Sequence, residues 1–214
     1  MYTPPSFQVV DITDVHRTMR EARTATLITA THEGLVGTML PVVLDEREGS
    51  MGTIYAHVAR ANPQWKLTPA GEAMAIFAGP EAYVSPSWYV TKHERGEAVP
   101  TWNYVAVHAY GPIEFFDDAD RLRRVVTRLT DVHERSGKDR WAVSDAPADF
   151  IKTELKGIVG LRLQITRFDG TRKMSQNRNA ADRAGVIEGL SKSDRDEDRR
   201  VAHLIAMTNP NDVL

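Results

Sequence analysis

The sequence predicts an α+β fold in which a small, mostly antiparallel β-barrel carries helices on its flanks. Three observations predict it. Six or seven β-rich runs are separated by turn signals. Amphipathic helical periodicities flank those runs instead of alternating with each of them. The chain's 214 residues, 42% hydrophobic and 26% charged, are ordinary globular composition, long enough to bury about 70% of the unfolded surface without staples.

Each element has its own signal. Asp11 to Ala22 reads as a helix, because Ile12, Val15 and Met19 share one face and Asp11 or Thr13 can cap its start. Thr24 to Ala30 and Leu35 to Leu44 are β-rich runs around the turn HEG, which makes them a hairpin. Thr53 to Val58 is a third strand with Tyr55 and His57 on one side. Asn62-Pro63 breaks it, and Gln64 to Leu67 suits one helical turn. Glu72 to Gly79 is a fourth strand, Tyr83 to Tyr89 is extended but interrupted by Pro86, and HERGEA reads as a surface loop. Thr101 to Phe116 is the longest β-run, bent by Gly111-Pro112. Asp118 to Glu134 is the clearest helix, with Leu122, Val125, Val126 and Leu129 on one face, acids first and arginines after, and Asp117-Asp118 as its cap. Pro147 to Lys156 is a second helix there. Ile158 to Phe168 alternates like a half-buried strand, and Asp169-Gly170 is expected to turn it. Beyond residue 170 the chain becomes polar and basic (KMSQNRN), followed by a short helix over Ala180 to Leu190, a charge run, and a terminal helix over Arg195 to Met207.

Composition narrows the function classes. The absence of cysteine removes disulfides, thiolate metal sites, iron–sulfur clusters and a cysteine nucleophile. MYTPPSF has no basic segment leading into an apolar run, so no signal peptide is expected, nor is any stretch of about 20 apolar residues present to span a membrane. These features fit a cytoplasmic protein. A net charge of −2 gives little support to binding through a phosphate backbone. No HExxH or paired-histidine spacing occurs, so no metal site is expected, and no nucleophile–base–orienter set is visible, so catalytic residues are not assigned.

The middle of the chain is unusual. Between residues 55 and 104 stand three of the four tryptophans and four of the six tyrosines, interleaved with cations, hydroxyls and amides. That mixture suits neither a periodic core nor a solvated loop. Flat aromatic faces beside a few cations and amides match a flat, anionic, hydrogen-bonding ligand such as a flavin nucleotide.

The strings HVARANPQW, AYVSPSWY, VPTWNYVAVHAYG and KMSQNR, in that order behind the opening MYTPPSF, resemble the PaiB family of FMN-binding split-barrel proteins. The resemblance runs to about Leu190, with small departures at GTMLPVVL and WYVTK. It implies an antiparallel split β-barrel of the pyridoxamine-phosphate-oxidase-like kind, a homodimer, and FMN in the dimer interface. On that basis residues 1–170 form the FMN-binding barrel with inserted helices, and residues 171–214 a polar segment and helices packed on the barrel or on the partner. The family carries the label of transcriptional regulator, from an association with repression of protease synthesis and sporulation in bacteria. Relatives of the barrel include pyridoxamine-phosphate oxidases, flavin reductases and haem-degrading enzymes, so fold alone selects no chemistry.

Candidate residues follow, each beside a plainer reading. The FMN phosphate wants two cations, or one cation with several donors. Arg60 and Lys66 flank NPQW and suit it, with Asn62 between them, Lys92 and Arg178 in reserve, and Ser85 and Ser87 as hydroxyl donors; otherwise these are ordinary surface cations and turn residues. Trp65, Trp88, Tyr89 and Trp102 could wall the ring, or fill the barrel and the dimer seam, and at least two of them are expected to be structural. Trp88 and Trp102 lead, because neighbouring proline and serine are expected to hold their backbone outside regular pairing; Asn103, beside Trp102, is a further candidate. His57 could bond or tune the ring, or be a hydrogen-bonded barrel histidine; His108 reads as structural. In KMSQNR, Lys173, Gln176 and Asn177 could reach a ligand across a dimer seam, or Ser175 or Asn177 could cap the next helix. Two alternative functions remain open: a regulator without catalysis, and a haem-binding relative with His57 or His108 as axial ligand.

Overall fold

Proline and glycine positions decide where the β-runs break, and the breaks sort the strands into two sheets. In the computed structural model, which describes residues 1–135 and 138–208, the first sheet has the order β1 (Gln8–Val9), β10 (Arg167–Lys173), β7 (Thr101–Gly111), β6 (Ala73–Val84), β2 (Thr24–Thr31), β3 (Gly34–Pro41). The second has the order β4 (Val43–Asp45), β5 (Thr53–Ala59), β9 (Ile158–Gln164), β8 (Ile113–Phe116). Six α-helices accompany them: α1 (Ile12–Ala22), α2 (Val90–Arg95), α3 (Ala119–His133), α4 (Ala148–Leu155), α5 (Ala180–Ser191) and α6 (Asp196–Met207). This is the α+β antiparallel split barrel that the sequence predicts. The final residues of the expected C-terminal segment, 209–214, lie outside the described residues.

The hairpin forms with Thr24 opposite Pro41 and Thr31 opposite Gly34, and Asp118 caps α3 by accepting from the Arg121 amide at 2.8 Å. Four expectations change. The run Leu35 to Leu44 divides: β3 ends at Pro41, which has no N–H to donate, and β4 joins the other sheet against β5. The run Thr101 to Phe116 divides at Gly111, where a Cβ would stand 1.8 Å from the Gln164 carbonyl oxygen, so only glycine fits. HERGEA is partly helical: α2 reaches Arg95, with Lys92, His93 and Arg95 in its last turn and Gly96 at φ 72° closing it. Asp169-Gly170 is not a turn but the middle of β10. There Gly170 pairs with Val9, and a Cβ would come within 2.9 Å of the Val9 carbonyl oxygen. Ten strands therefore stand where six or seven are expected.

The chain separates into two compact units. One comprises Met19–Phe77 and His108–Phe168. In it, Leu122, Val125 and Leu129 of α3 and Ile151 and Leu155 of α4 pack with Val43 and Phe116. Gly160 makes room for the Phe116 ring, which a Cβ there would meet at 2.3 Å. The other comprises Met1–Thr18, Ala78–Val107 and Asp169–Leu214. Its core joins Val84, Tyr89 and Val105 to Val186 and Leu190 of α5 and Val201 and Ile205 of α6. Arg183, 7% exposed, ties this core by donating to the carbonyls of Met174 (3.2 Å), Ile205 (2.7 Å) and Thr208 (2.6 Å).

Candidate functional site

The fifteen sequence-predicted residues fall into two sets, five in the unit built on Met19–Phe77 and His108–Phe168 and ten in the other. In the first, β5 ends in a 3₁₀ turn, Pro63–Lys66. Asn62 holds that turn in place. Its side chain accepts from the Gln64 amide at 2.9 Å and donates to the Thr38 hydroxyl at 3.0 Å. Gln64, fully buried, then receives Thr38 at 2.6 Å and donates to Thr29 Oγ1 at 3.1 Å and to the Val36 carbonyl at 3.2 Å. The amide chemistry braces the turn against the β2–β3 hairpin and fixes what the turn presents.

It presents an indole between two cations. Trp65 Nε1 donates to the Arg60 carbonyl at 3.0 Å. The Arg60 guanidinium lies 5.8 Å and the Lys66 ammonium 5.4 Å from the Trp65 ring centre. Arg60 is itself anchored: Nε donates to the Lys156 carbonyl at 2.7 Å, Nη2 to the Ile158 carbonyl at 3.1 Å, and Nη1 is 3.6 Å from Asp117. Lys66 is exposed and has no hydrogen-bond or ion-pair partner among the described residues. On the strand before this turn, His57 is half-buried opposite Gly160. Its Nδ1 is buried without a hydrogen-bond partner, and burial holds its pKa below the ordinary 6.5.

The ten residues of the other unit are differently placed. Ser85 caps the 3₁₀ turn Pro86–Trp88, accepting from the Ser87 amide at 3.2 Å, and its hydroxyl meets that of Ser87 at 2.7 Å. Trp88 lies on α5, where Gly185 and Gly189 clear space for it: added Cβ atoms would stand 2.0 Å from its carbonyl oxygen and 2.4 Å from its ring. Tyr89 is wholly buried, with the Arg178 guanidinium 4.5 Å from the ring centre. Lys92 is exposed on α2. Trp102 and Asn103 lie within β7, between β10 and β6, unlike the expectation for the Trp102 backbone. The flanking Pro100 precedes the strand instead of interrupting it. Trp102 is 46% exposed and meets Tyr83 edge to face at 5.9 Å. Asn103 is buried, donating to Ser175 Oγ at 2.9 Å with its Oδ1 left unpaired. Lys173 donates to Thr101 Oγ1 at 2.6 Å, and burial, then the nearby Arg178 charge, lowers its pKa. Gln176 folds back on its own turn, donating to the Arg172 carbonyl and accepting from the Met174 amide, each at 2.6 Å. Asn177 is exposed. The cap of α5 is Asn179, not Ser175 or Asn177: its side chain accepts from the Asp182 amide at 2.8 Å.

Sequence reasoning missed the polar ladder beside His57. Tyr55 donates to Glu48 at 2.7 Å, Arg162 donates to Glu48 at 2.8 Å, and Tyr55 and Arg162 are cross-strand neighbours. Burial, then the acceptor Glu48, pushes the Tyr55 pKa up. Only strand register reveals the ladder, since Glu48 and Arg162 are 114 positions apart.

FMN brings a dianionic phosphate, ribityl hydroxyls and a flat ring edged with donors and acceptors. The residues present fit that chemistry. In one unit Lys66 is an exposed cation and the buried His57 Nδ1 lacks a hydrogen-bond partner; in the other Lys92 is exposed and the buried Asn103 Oδ1 lacks one. Among the described residues no three His, Asp or Glu side chains are grouped to hold a metal ion, and no helix is long and apolar enough to cross a membrane.

The fold and these side chains define a split-barrel protein of the flavin-binding class. The family model described as "Putative FMN-binding domain" matches residues 1–167, and the chain belongs to that family, as a PaiB-type FMN-binding protein. It is 32% identical over 206 residues, covering 96% of each chain, to the protease synthase and sporulation protein PAI 2 of Bacillus subtilis (strain 168). An uncharacterised protein of Emericella nidulans is 33% identical, with 78% of this chain and 79% of that one covered. Family membership thus extends to fungi and does not assign a bacterial source. Two solved structures share the fold: the FAD and haem binding protein from Mycobacterium smegmatis (TM-score 0.58, 14% identity, 83% of this chain and 78% of that one) and the flavocytochrome Anf3 from Azotobacter vinelandii (TM-score 0.58, 14% identity, 78% and 69%).

Proposed function

We propose that this protein works as a homodimeric, cytoplasmic FMN-dependent oxidoreductase. The observation that carries the reading is the braced 3₁₀ turn that holds Trp65 between the anchored Arg60 and the unpartnered Lys66. A rigid mount with one free cation is what recognition of a terminal phosphate requires. Lys66 supplies the mobile charge, Arg60 a second fixed one, and the indole a wall beside them. His57 Nδ1, in the same unit, offers a buried polar atom to a flavin edge. When bound, FMN supplies hydride and electron transfer, and the protein supplies binding, orientation and tuning. Dimerisation is supported by β3, an edge strand with Leu35 77% and Met39 74% exposed. Such an edge invites pairing with a second copy. The lack of cysteine accords with a reducing cytosol.

The visible absorbance spectrum of freshly purified protein, followed by FMN titration, tests the proposal. Flavin bands, or a melting temperature raised by FMN, are expected; saturation at 100 times Kd adds about 2.7 kcal/mol. A colourless protein whose melting temperature FMN leaves unchanged sinks it. A Soret band on haem addition, lost in His57→Ala, points instead to a haem protein. A salt-sensitive gel shift on promoter DNA without any flavin binding points to the regulatory role that the Bacillus relative's name suggests.

A further inference from the structure

A cavity of about 500 Å³ opens where the C-terminal ends of α1 and α3 meet β4. None of the fifteen flavin-site residues lines it. Its floor is apolar: Met19, Val43, Ile54 and Phe77 line it, although each is buried. Its rim is cationic. Two rim arginines are occupied, Arg20 by Glu46 and Arg128 by Asp45, the latter at 3.1 Å. Arg23 and Arg135 have no side-chain partner among the described residues, and the one unpaired acid of the lining is Asp131.

Arginine at a helix C-terminus needs no ligand to explain it, because the helix dipole favours a cation there. Two features go further. First, a dipole needs no apolar shaft between the cations. Second, Arg23 is held at φ 60°, its N–H bonded to the Met19 carbonyl and its own carbonyl receiving the Val42 amide. This is the closing position of α1, where glycine or asparagine sits without strain and an arginine costs about 1 kcal/mol. Strained residues of this kind cluster at ligand sites.

We propose that this cavity is a second ligand site, for an amphipathic monoanion: a short aliphatic or aromatic chain carrying one carboxylate. The body takes the floor of Ile54 and Phe77, and the head lies between Arg23 and Arg135. A single negative charge suits the rim better than a phosphate dianion, because Asp131 and two helix C-termini oppose a larger one. The volume lies within the range of small-molecule pockets. The site is independent of the flavin reading.

Octanoate is the probe, with octylammonium as the same tail bearing the opposite charge. Isothermal titration of the full chain is expected to give saturable octanoate binding with Kd on the order of 10⁻⁴ M and at least tenfold weaker octylammonium binding. Arg23→Gly relieves strain, so it is expected to leave the melting temperature unchanged or raised while weakening octanoate about tenfold; Arg135→Gln weakens it similarly. FMN titrations of both variants are expected to match the parent. Absence of saturable octanoate binding, equal binding of octylammonium, full octanoate affinity in both variants, or displacement of octanoate by FMN would each overturn the site.

Discussion

At the scale of single residues, the proposed phosphate subsite would divide its work between Lys66 and Arg60. Arg60 is spent largely on the Lys156 and Ile158 carbonyls, so in that subsite it would position the turn as much as attract an anion. Lys66 has no hydrogen-bond or ion-pair partner among the described residues. Lys66→Gln is therefore expected to weaken FMN by about tenfold or more, the scale of one charge-assisted hydrogen bond, without lowering the melting temperature of the FMN-free protein. Equal FMN affinity in the variant would remove Lys66 from the subsite. His57 makes a separate prediction. Burial holds its folded pKa below 6.5, so the unfolded chain binds the proton more readily. Its contribution to stability is complete above pH 6.5 and is lost as pH falls towards the folded value. The parent is expected to lose stability on acidification in that window faster than His57→Gln, with a difference in slope no steeper than about 1.4 kcal/mol per pH unit, the limit for one proton. Denaturant midpoints from pH 7.5 to 5, chosen to bracket the ordinary histidine range, measure it. Both residues could be named as candidates from the sequence because they belong to one short string, HVARANPQWK. The Glu48–Tyr55–Arg162 ladder was not, because no local pattern connects its members.

At the scale of elements, glycine carried the information that was hardest to read. Gly170 next to an aspartate looks like a turn, but its role is close approach to the Val9 backbone inside β10. β2 and β5, whose burial alternates, were legible nearly end to end; the limits of β7, β8 and β10, which depend on such close approaches, were not. Short α2 was hidden by its charges, although Gly96 after three basic residues is a stop signal. The seat of Trp88 on α5 tests the same idea. Intrinsic propensity makes Gly185→Ala stabilising by about 1 kcal/mol in a helix interior. The Cβ, however, would stand 2.0 Å from the Trp88 carbonyl oxygen. Net destabilisation of about 1–3 kcal/mol is expected instead, seen as a melting temperature lowered by several degrees. A raised melting temperature would show that the helix and the indole can part without loss.

At the scale of the whole molecule, the fold class was legible because turn signals and amphipathic helices report it directly, whereas the support for the proposed dimer is surface exposure, which only a structure displays. Leu35 and Met39 stand outward on β3. Met39→Glu, alone or with Leu35→Glu, is expected to convert a dimer to a monomer in light scattering after size exclusion, and to weaken FMN if the cofactor depends on the partner. An unchanged dimer mass would place the seam elsewhere.

The pairing of β1 with β10, the placement of residues 1–18 in one unit with residues 169 onward, and the grip of Arg183 on the end of α6 bear on how the chain is made. The unit of Met19–Phe77 and His108–Phe168 has all its pieces once residue 168 has left the ribosome. The other has not: its earliest-synthesised strand waits, unpaired, for a partner translated some 160 residues later. Birth order and folding order run opposite ways for the N-terminal strand, and a nascent chain stalled before β10 would leave that strand bare for chaperones to find.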